Sequence, residues 1–218
     1  MPRIIDVLLS ILALLVLLPL FIPIVVILLL TGEHKVFYLQ TRVGYKNKDF
    51  KIIKFATMLS NSANMGSGSL TLKNDPRVLP FGSFLRKTKI NELPQILNII
   101  IGDLSIVGPR PQMQVDFEKY SDDVQGKIYN VRPGLTGIGS IIFRDEESLI
   151  SLAAENENPH DFYKRVIAPY KGELEIWYHS HRSVFLDFQL IFMTAWAIVA
   201  PETRLYEKWF KDLPKRKF

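Results

Sequence analysis

Residues 7–30 read VLLSILALLVLLPLFIPIVVILLL, 24 positions without a charge, interrupted in the middle by Pro19 and Pro23. About 20 apolar residues are enough for a helix to cross a bilayer. Each proline removes a backbone donor and crowds the carbonyl four residues back. Spaced four apart, the two free the carbonyls of Leu15 and Pro19 on one side of a helix. A plain anchor has no use for that damage, whereas a segment that enters one leaflet and returns to the same side does. The pattern therefore predicts a re-entrant helix-break-helix over residues 1–32, broken at Pro19 and Pro23, carrying a domain over residues 33–218. A kinked spanning helix is the competing reading, because neighbouring helices can satisfy backbone groups that proline frees. A cleaved leader does not fit: the apolar run is too long and no small-x-small site precedes the charged segment. Arg3 alone precedes the run, while Lys35, Arg42, Lys46, Lys48, Lys51 and Lys54 follow it, which places the body of the chain in the cytoplasm.

Set beside that segment, the remainder of the 218 residues is enough for one compact domain. With no cysteine there are no disulfides and no thiolate metal sites, which fits a reducing compartment. A net charge of +5 suits nucleic acid, anionic lipid or a phosphorylated substrate. The apolar segment favours lipid headgroups and a phosphorylated substrate, and no nucleic-acid module is present.

After a turn at Gly32, residues 36–43 and 50–55 read as extended segments joined by a turn over 44–48, the second half-buried. Residues 60–69, rich in Ser, Asn and Gly, predict a mobile loop or lid. Pro94 biases Leu93 away from helix, so a helix is expected from Pro94 to Ile101, stopped by Gly102. The acidic and polar stretch 145–161 reads as a solvated helix and loop. Residues 188–200 are nearly all apolar but too short to span. They suit either an in-plane helix at the membrane surface or a core helix.

The chemically dense region is Leu85-Arg86-Lys87-Thr88-Lys89-Ile90-Asn91-Glu92-Leu93-Pro94-Gln95. It sets three cations immediately before a carboxylate at a helix start, where phosphates and a divalent metal could meet. A basic surface helix with a capping pair is the plainer alternative. In Gly108-Pro109-Arg110-Pro111 two prolines hold the backbone around Arg110, so little entropy is lost when its fork grips a phosphate. A structural arginine is the competing reading there. Arg132, before Pro133-Gly134, resembles it. His179 and His181 diverge in either a helix or a strand, which argues against a metal pair. P-loop, dinucleotide-binding and Asp-x-Asp motifs are absent.

Taken in order, these segments resemble the bacterial sugar transferases, the monotopic phosphoglycosyl transferases, over nearly the whole chain. The resemblance rests on the proline-broken hairpin, Arg42-Val43-Gly44, Phe50-Lys51-Ile52 with Lys54-Phe55, Asn74-Asp75-Pro76-Arg77 and Phe84-Leu85-Arg86-Lys87-Thr88. It continues through Glu92-Leu93-Pro94-Gln95, Gly102-Asp103-Leu104-Ser105, Val107-Gly108-Pro109-Arg110-Pro111, Arg132-Pro133-Gly134-Leu135-Thr136-Gly137, and Ser183 with Leu186-Asp187.

The resemblance implies a small α/β domain with a re-entrant helix and in-plane amphipathic helices at the cytoplasmic face of the bacterial inner membrane. It implies transfer of a sugar 1-phosphate from a UDP-sugar to a polyprenyl (undecaprenyl) phosphate, with Mg²⁺ as cofactor and release of UMP. That step begins assembly of capsule, O-antigen or exopolysaccharide. On this reading Glu92 and Asn91 are the catalytic and metal-holding pair, and Arg86, Pro109, Arg110 and Arg132 bind substrate. Membrane lipid is a further partner, and a homo-oligomer and downstream glycosyltransferases are left open. The family's pair is Asp-Glu, its aspartate attacking the β-phosphate, whereas here the first position is Asn91. Three expectations follow: direct transfer, a displaced carboxylate such as Asp75 or Asp103, or a catalytically silent scaffold of the same fold. Ala56, where the pattern more often has arginine, removes one further cation.

Overall fold

The computed structural model describes residues 1–66, 68–200 and 203–218. A long helix α1 (Arg3–Leu30) leads into a hairpin of β1 (Phe37–Val43) and β2 (Asp49–Phe55), antiparallel with Arg42 opposite Phe50 and Tyr38 opposite Lys54. Then come α2 (Pro80–Lys87), α3 (Gln95–Ile101), β3 (Ser105–Val107), α4 (Gln114–Phe117), α5 (Asp122–Lys127) and β4 (Gly134–Thr136), which pairs in parallel with β3. The chain finishes with α6 (Ile138–Ile142), α7 (Glu146–Ala153), α8 (Pro159–Phe162), α9 (Ala168–His181), α10 (Val184–Val199) and α11 (Leu205–Trp209). Mixed helices and small sheets make this an α/β domain.

Among the described residues α1 is the one helix long and apolar enough to cross a bilayer. It runs through Pro19 and Pro23 as one element, so the expected break between two helices is absent. A proline costs its own donor and one carbonyl bond, and the turns on either side continue around it. Both ends of α1 pack on the same domain. Near the start, Arg3 Nη2 donates to the Ile100 carbonyl at 2.9 Å, and the buried Asp6 accepts from Ser105 Oγ at 2.8 Å and Ile106 N at 3.0 Å. Near the end, Ile24 and Leu28 pack with Phe55 and Leu85. Between these ends Leu12, Leu15, Val16, Leu18 and Leu20 are exposed.

The expected helix before Gly102 is present, with Pro94 at its N-cap and Gly102 at φ +109° closing it. A left-handed residue at that position is the usual stop, and glycine adopts it without a β-carbon clash. Asn98, fully buried on α3, accepts from Ile53 N at 2.9 Å and donates to Lys51 O at 2.8 Å. One side chain thus fastens α3 to β2 and fixes the turn ahead of α3 against the strand. The main core gathers around α9 and includes Tyr129, Tyr163, Leu174 and Tyr178.

The loop expected to be mobile is instead wrapped around a buried pair. Arg77 meets Asp75 at 2.6 Å and donates to the carbonyls of Ser62, Met65, Gly68 and Leu70 at 2.7–2.9 Å. Ser67, within that loop, lies outside the described residues. Helix α10 has one buried and one exposed apolar face. Leu186, Leu190, Met193 and Ala197 face the core, while Phe185, Phe188, Phe192, Trp196 and Val199 are exposed. The two sets repeat at three and four residues, the spacing of opposite faces of one helix.

Candidate functional site

Between α2 and α3 the chain reverses at Lys89, whose φ of +60° is a conformation few lysines adopt, and forms a tight turn over Ile90–Glu92. This turn packs on β2 and α2. It leaves the Glu92 carboxylate largely buried beside Arg110 and buries the Asn91 amide, whose Oδ1 has no hydrogen-bond partner among the described residues. Such an orphan is uncommon in a folded interior and leaves an acceptor free beside Glu92.

Arg110 closes on Glu92 with a fork: Nη2 to Oε1 at 2.6 Å and Nη1 to Oε2 at 3.3 Å. Its backbone is held on the carbonyl side. Tyr129 donates its hydroxyl to the Arg110 carbonyl at 2.9 Å and accepts from Gln112 N at 2.9 Å. The Glu175 carboxyl, buried on α9, lies close enough to the Arg110 N–H to feel its dipole. Burial, opposed by Lys171 and by that N–H, lifts the Glu175 carboxyl to about 8, so at neutral pH it is a neutral acid. A β-carbon at Gly139 would displace its Oε1, so glycine there leaves the carboxyl in place. One residue upstream, the Pro109 carbonyl accepts from Gly134 N at 2.9 Å, and Gly108 lies so close to Arg132–Gly134 that a β-carbon would strike backbone. Pro109 therefore acts through its backbone, anchoring the turn that aims Arg110.

Other cations converge here. Alternation along the hairpin puts Arg42 and Lys54 on one face. Arg42 donates to Gln40 Oε1 at 2.7 Å and to the Pro111 carbonyl at 3.2 Å. Burial first, then Arg42, and further Arg110 and Arg86, bring the Lys54 ammonium down to about 7 against the pull of Glu92. Lys54 has no hydrogen bond or ion pair among the described residues. Burial alone would raise the Glu92 carboxyl. Arg110 foremost, then Lys54 and Lys89, outweigh it and hold Glu92 well below the usual carboxylate range. Arg86 lies 3.9 Å from Glu147 and 3.7 Å from Met58 Sδ.

The structure thus brings together Asn91, Glu92, Arg86 and Arg110 from the sequence reading, with Pro109 behind them. Arg132 does not join: its Nε donates to the Gly102 carbonyl at 2.9 Å, at the far end of α3, and its guanidinium lies over the Tyr45 ring. Neither suggested substitute carboxylate reaches Asn91. Asp75 is consumed by Arg77, and Asp103 is bonded by Asn98 beyond the C-terminal end of α3. His181 stacks on Trp177 and faces Asp212 at 3.0 Å, away from any metal cluster. The sequence reading missed Tyr129 and Glu175, whose separation from Arg110 along the chain leaves no local signal. It also read Glu146 and Glu147 as solvated, yet α7 brings Glu147 to Arg86 and Glu146 to Lys171 at 2.7 Å. Lys54 was legible as a basic position on an alternating strand.

Geometry of this kind, a clamped arginine and a lone carboxylate amid surplus cations, suits a phosphate-handling protein. Residues 1–201 match the bacterial sugar transferase family, and the chain belongs to it. It is 39% identical over 163 residues to the exopolysaccharide production protein ExoY of Sinorhizobium fredii, covering 68% of this chain and 72% of that protein. Over 191 residues it is 32% identical to the UDP-glucose:undecaprenyl-phosphate glucose-1-phosphate transferase of Escherichia coli, and 31% identical to the UDP-N-acetylgalactosamine-undecaprenyl-phosphate N-acetylgalactosaminephosphotransferase of Aeromonas hydrophila. Those two matches cover 87% of this chain but only 38% and 41% of the relatives.

Proposed function

We propose that this protein transfers a sugar 1-phosphate from a UDP-sugar to undecaprenyl phosphate, releasing UMP, as the first membrane step of a bacterial glycan pathway such as capsule, O-antigen or exopolysaccharide. The observation that carries the reading is the Glu92–Arg110 pair, with Arg42, Lys54, Arg86 and Lys89 close enough to shift one another's charge. Glu92 leaves most of that positive charge unmatched, and the two negative charges of a nucleotide sugar's diphosphate would offset a further part of it. The names of the relatives support the same substrates.

Donor phosphates would take the fork of Arg110 and the charges of Arg86 and Lys54, positioning the β-phosphorus for attack. Asn91 is a poor nucleophile, and among the described residues neither Asp75 nor Asp103 stands in its place. The reaction is then direct. An oxygen of the acceptor phosphate bonds to the β-phosphorus as the bond to the UMP oxygen breaks, and UMP leaves with that electron pair. The acceptor is already an anion, so no base is needed, and a carboxylate held as low as Glu92 would be a weak one.

Magnesium fits the residues present. The orphaned Asn91 Oδ1 and the spare lone pairs of Glu92 would hold it alongside substrate phosphates. Among the described residues no cluster of three His, Asp or Glu offers a fuller cage. When bound, the ion supplies charge neutralisation on the diphosphate.

Residues 1–32 would be a re-entrant membrane segment, carried by the single helix α1, and residues 33–218 the catalytic domain at the cytoplasmic face of the inner membrane. Support comes from α1, whose two ends dock on one domain while Leu12, Leu15, Val16, Leu18 and Leu20 between them are exposed. Exposed apolar faces of α10 and α11 suit helices lying in the membrane plane. Downstream glycosyltransferases would receive the lipid-linked product.

The decisive assay incubates the full chain with undecaprenyl phosphate, Mg²⁺ and a panel of UDP-sugars. UMP release is expected with at least one, and none with any sugar would leave a silent scaffold. Intact mass after UDP-sugar alone should show no adduct, and a phosphosugar adduct would refute direct transfer. For topology, replacing Pro19 and Pro23 with Ala should favour a spanning helix. A cysteine placed at position 2 would then change its labelling side. The same side in both chains would remove the prolines from the account.

A further inference from the structure

A second basic hollow lies apart from Glu92, where the C-terminal end of α10 meets α6 and α11. Its volume is about 420 Å³, and its lining includes Arg144, Arg204 and Arg216 together with Trp196, Met193 and Tyr206. Asp145 is the one carboxylate among its described lining residues, and it lies 3.0 Å from Arg216 Nη1. Arg204 reaches Glu207 at 3.4 Å on the open surface, where such a pair is weak. Arg144 has no hydrogen bond or ion pair among the described residues. Arg216 is stacked over Phe218 at 4.7 Å and Phe143 at 5.7 Å, which fixes its plane, and its Nε is buried without a partner.

The other wall is apolar. Trp196 lies on the edge between the buried and exposed faces of α10, its Nε1 donating to Thr203 Oγ1 at 2.8 Å. From it Phe192 and Trp209 continue outward as a stacked aromatic surface, with ring centroids 6.1 Å and 5.6 Å apart. Guanidinium forks match phosphate oxygens, and indole rings with one polar atom prefer the boundary between headgroups and acyl chains. A ligand that satisfies both walls carries a phosphodiester on one end and hydrocarbon on the other.

We propose that this hollow binds the phosphodiester headgroup of an anionic membrane phospholipid, whose acyl chains lie along the outward face of α10. This rests on the membrane reading above and adds a specific lipid to it. The contact fixes the depth and tilt of the domain, and hence the height of the Glu92 site above the hydrocarbon.

The test titrates the full chain in detergent micelles with short-chain phosphatidylglycerol, short-chain phosphatidylcholine or inorganic phosphate, following tryptophan fluorescence. Phosphatidylglycerol should give a saturable change that survives Trp209→Phe. The double variant Arg144→Gln/Arg204→Gln, altered only on the surface, should raise the apparent Kd roughly tenfold or more. An equal response to phosphatidylcholine, or an unchanged Kd in the double variant, overturns the proposal. Inorganic phosphate binding as tightly as phosphatidylglycerol would assign the hollow to a free anion and overturn it too. Failure of the membrane reading would appear separately, as wild-type chain that does not float with vesicles of either lipid.

Discussion

Arg77 meets Asp75 and Arg110 meets Glu92 at the same 2.6 Å, yet the two pairs belong to different parts of the protein's work. The side chains of the first pair are 4% and 3% exposed, and Arg77 spends its remaining donors on loop carbonyls. Those of the second are 31% and 15% exposed, beside a Lys54 with no ion pair and an amide oxygen with no donor among the described residues. Ion-pair length does not distinguish structure from function. What distinguishes them is whether the surroundings are satisfied: a closed network holds a loop, and an open one waits for phosphate.

Breaking the closed network should have the largest effect. Arg77→Ala leaves Asp75 buried without a counter-charge and several loop carbonyls unpaired, a loss of about 3–5 kcal/mol. Chemical denaturation reads it, and a loss under 1 kcal/mol would contradict the contrast. Arg110→Ala should behave in the opposite sense. Turnover of the UDP-sugar falls by about 10²–10³ in kcat/KM, the scale of one lost charge-stabilising donor, while stability changes little. Unchanged kinetics would remove Arg110 from the site.

A finer test asks whether the clamp behind Arg110 matters. Glu175→Leu deletes the buried polar group beside the Arg110 backbone and should lower kcat/KM by roughly tenfold, the scale of one buried polar interaction. Glu175→Gln keeps a polar group and the shape of the neutral acid, so it should restore most of that loss near pH 7. The wild-type carboxyl ionises near pH 8 and the Lys54 ammonium near 7, so the kcat/KM profile of the wild type should carry both bends and the Gln variant should lose the one near pH 8 and keep the one near 7. A bend near pH 8 of the same size in both would assign it elsewhere.

Linear cues made much of this legible. Pro94 and Gly102 bracket α3, the alternation of residues 50–55 marks β2, and the prolines around Arg110 point to a fixed guanidinium. Arg132 looked equivalent to Arg110 because both sit in Gly/Pro turns beside a cation, but the turn does not say which way its side chain leaves. The loop 60–69 looked mobile because its residues bury little by themselves. Its order comes from Arg77, beyond the loop's own sequence.

Composition and local pattern determined the apolar N-terminal segment, the hairpin, the helix after Asn91-Glu92 and the cationic character of the site, because each depends on neighbours a few residues apart. Only the tertiary structure decided that both ends of α1 dock on one domain, that α7 and α9 bring acids to the arginines, and that Asp75 and Asp103 are occupied elsewhere. Those outcomes depend on which distant side chains share a buried space, and on how burial and neighbouring charge divide protons among them, which residue order alone does not express.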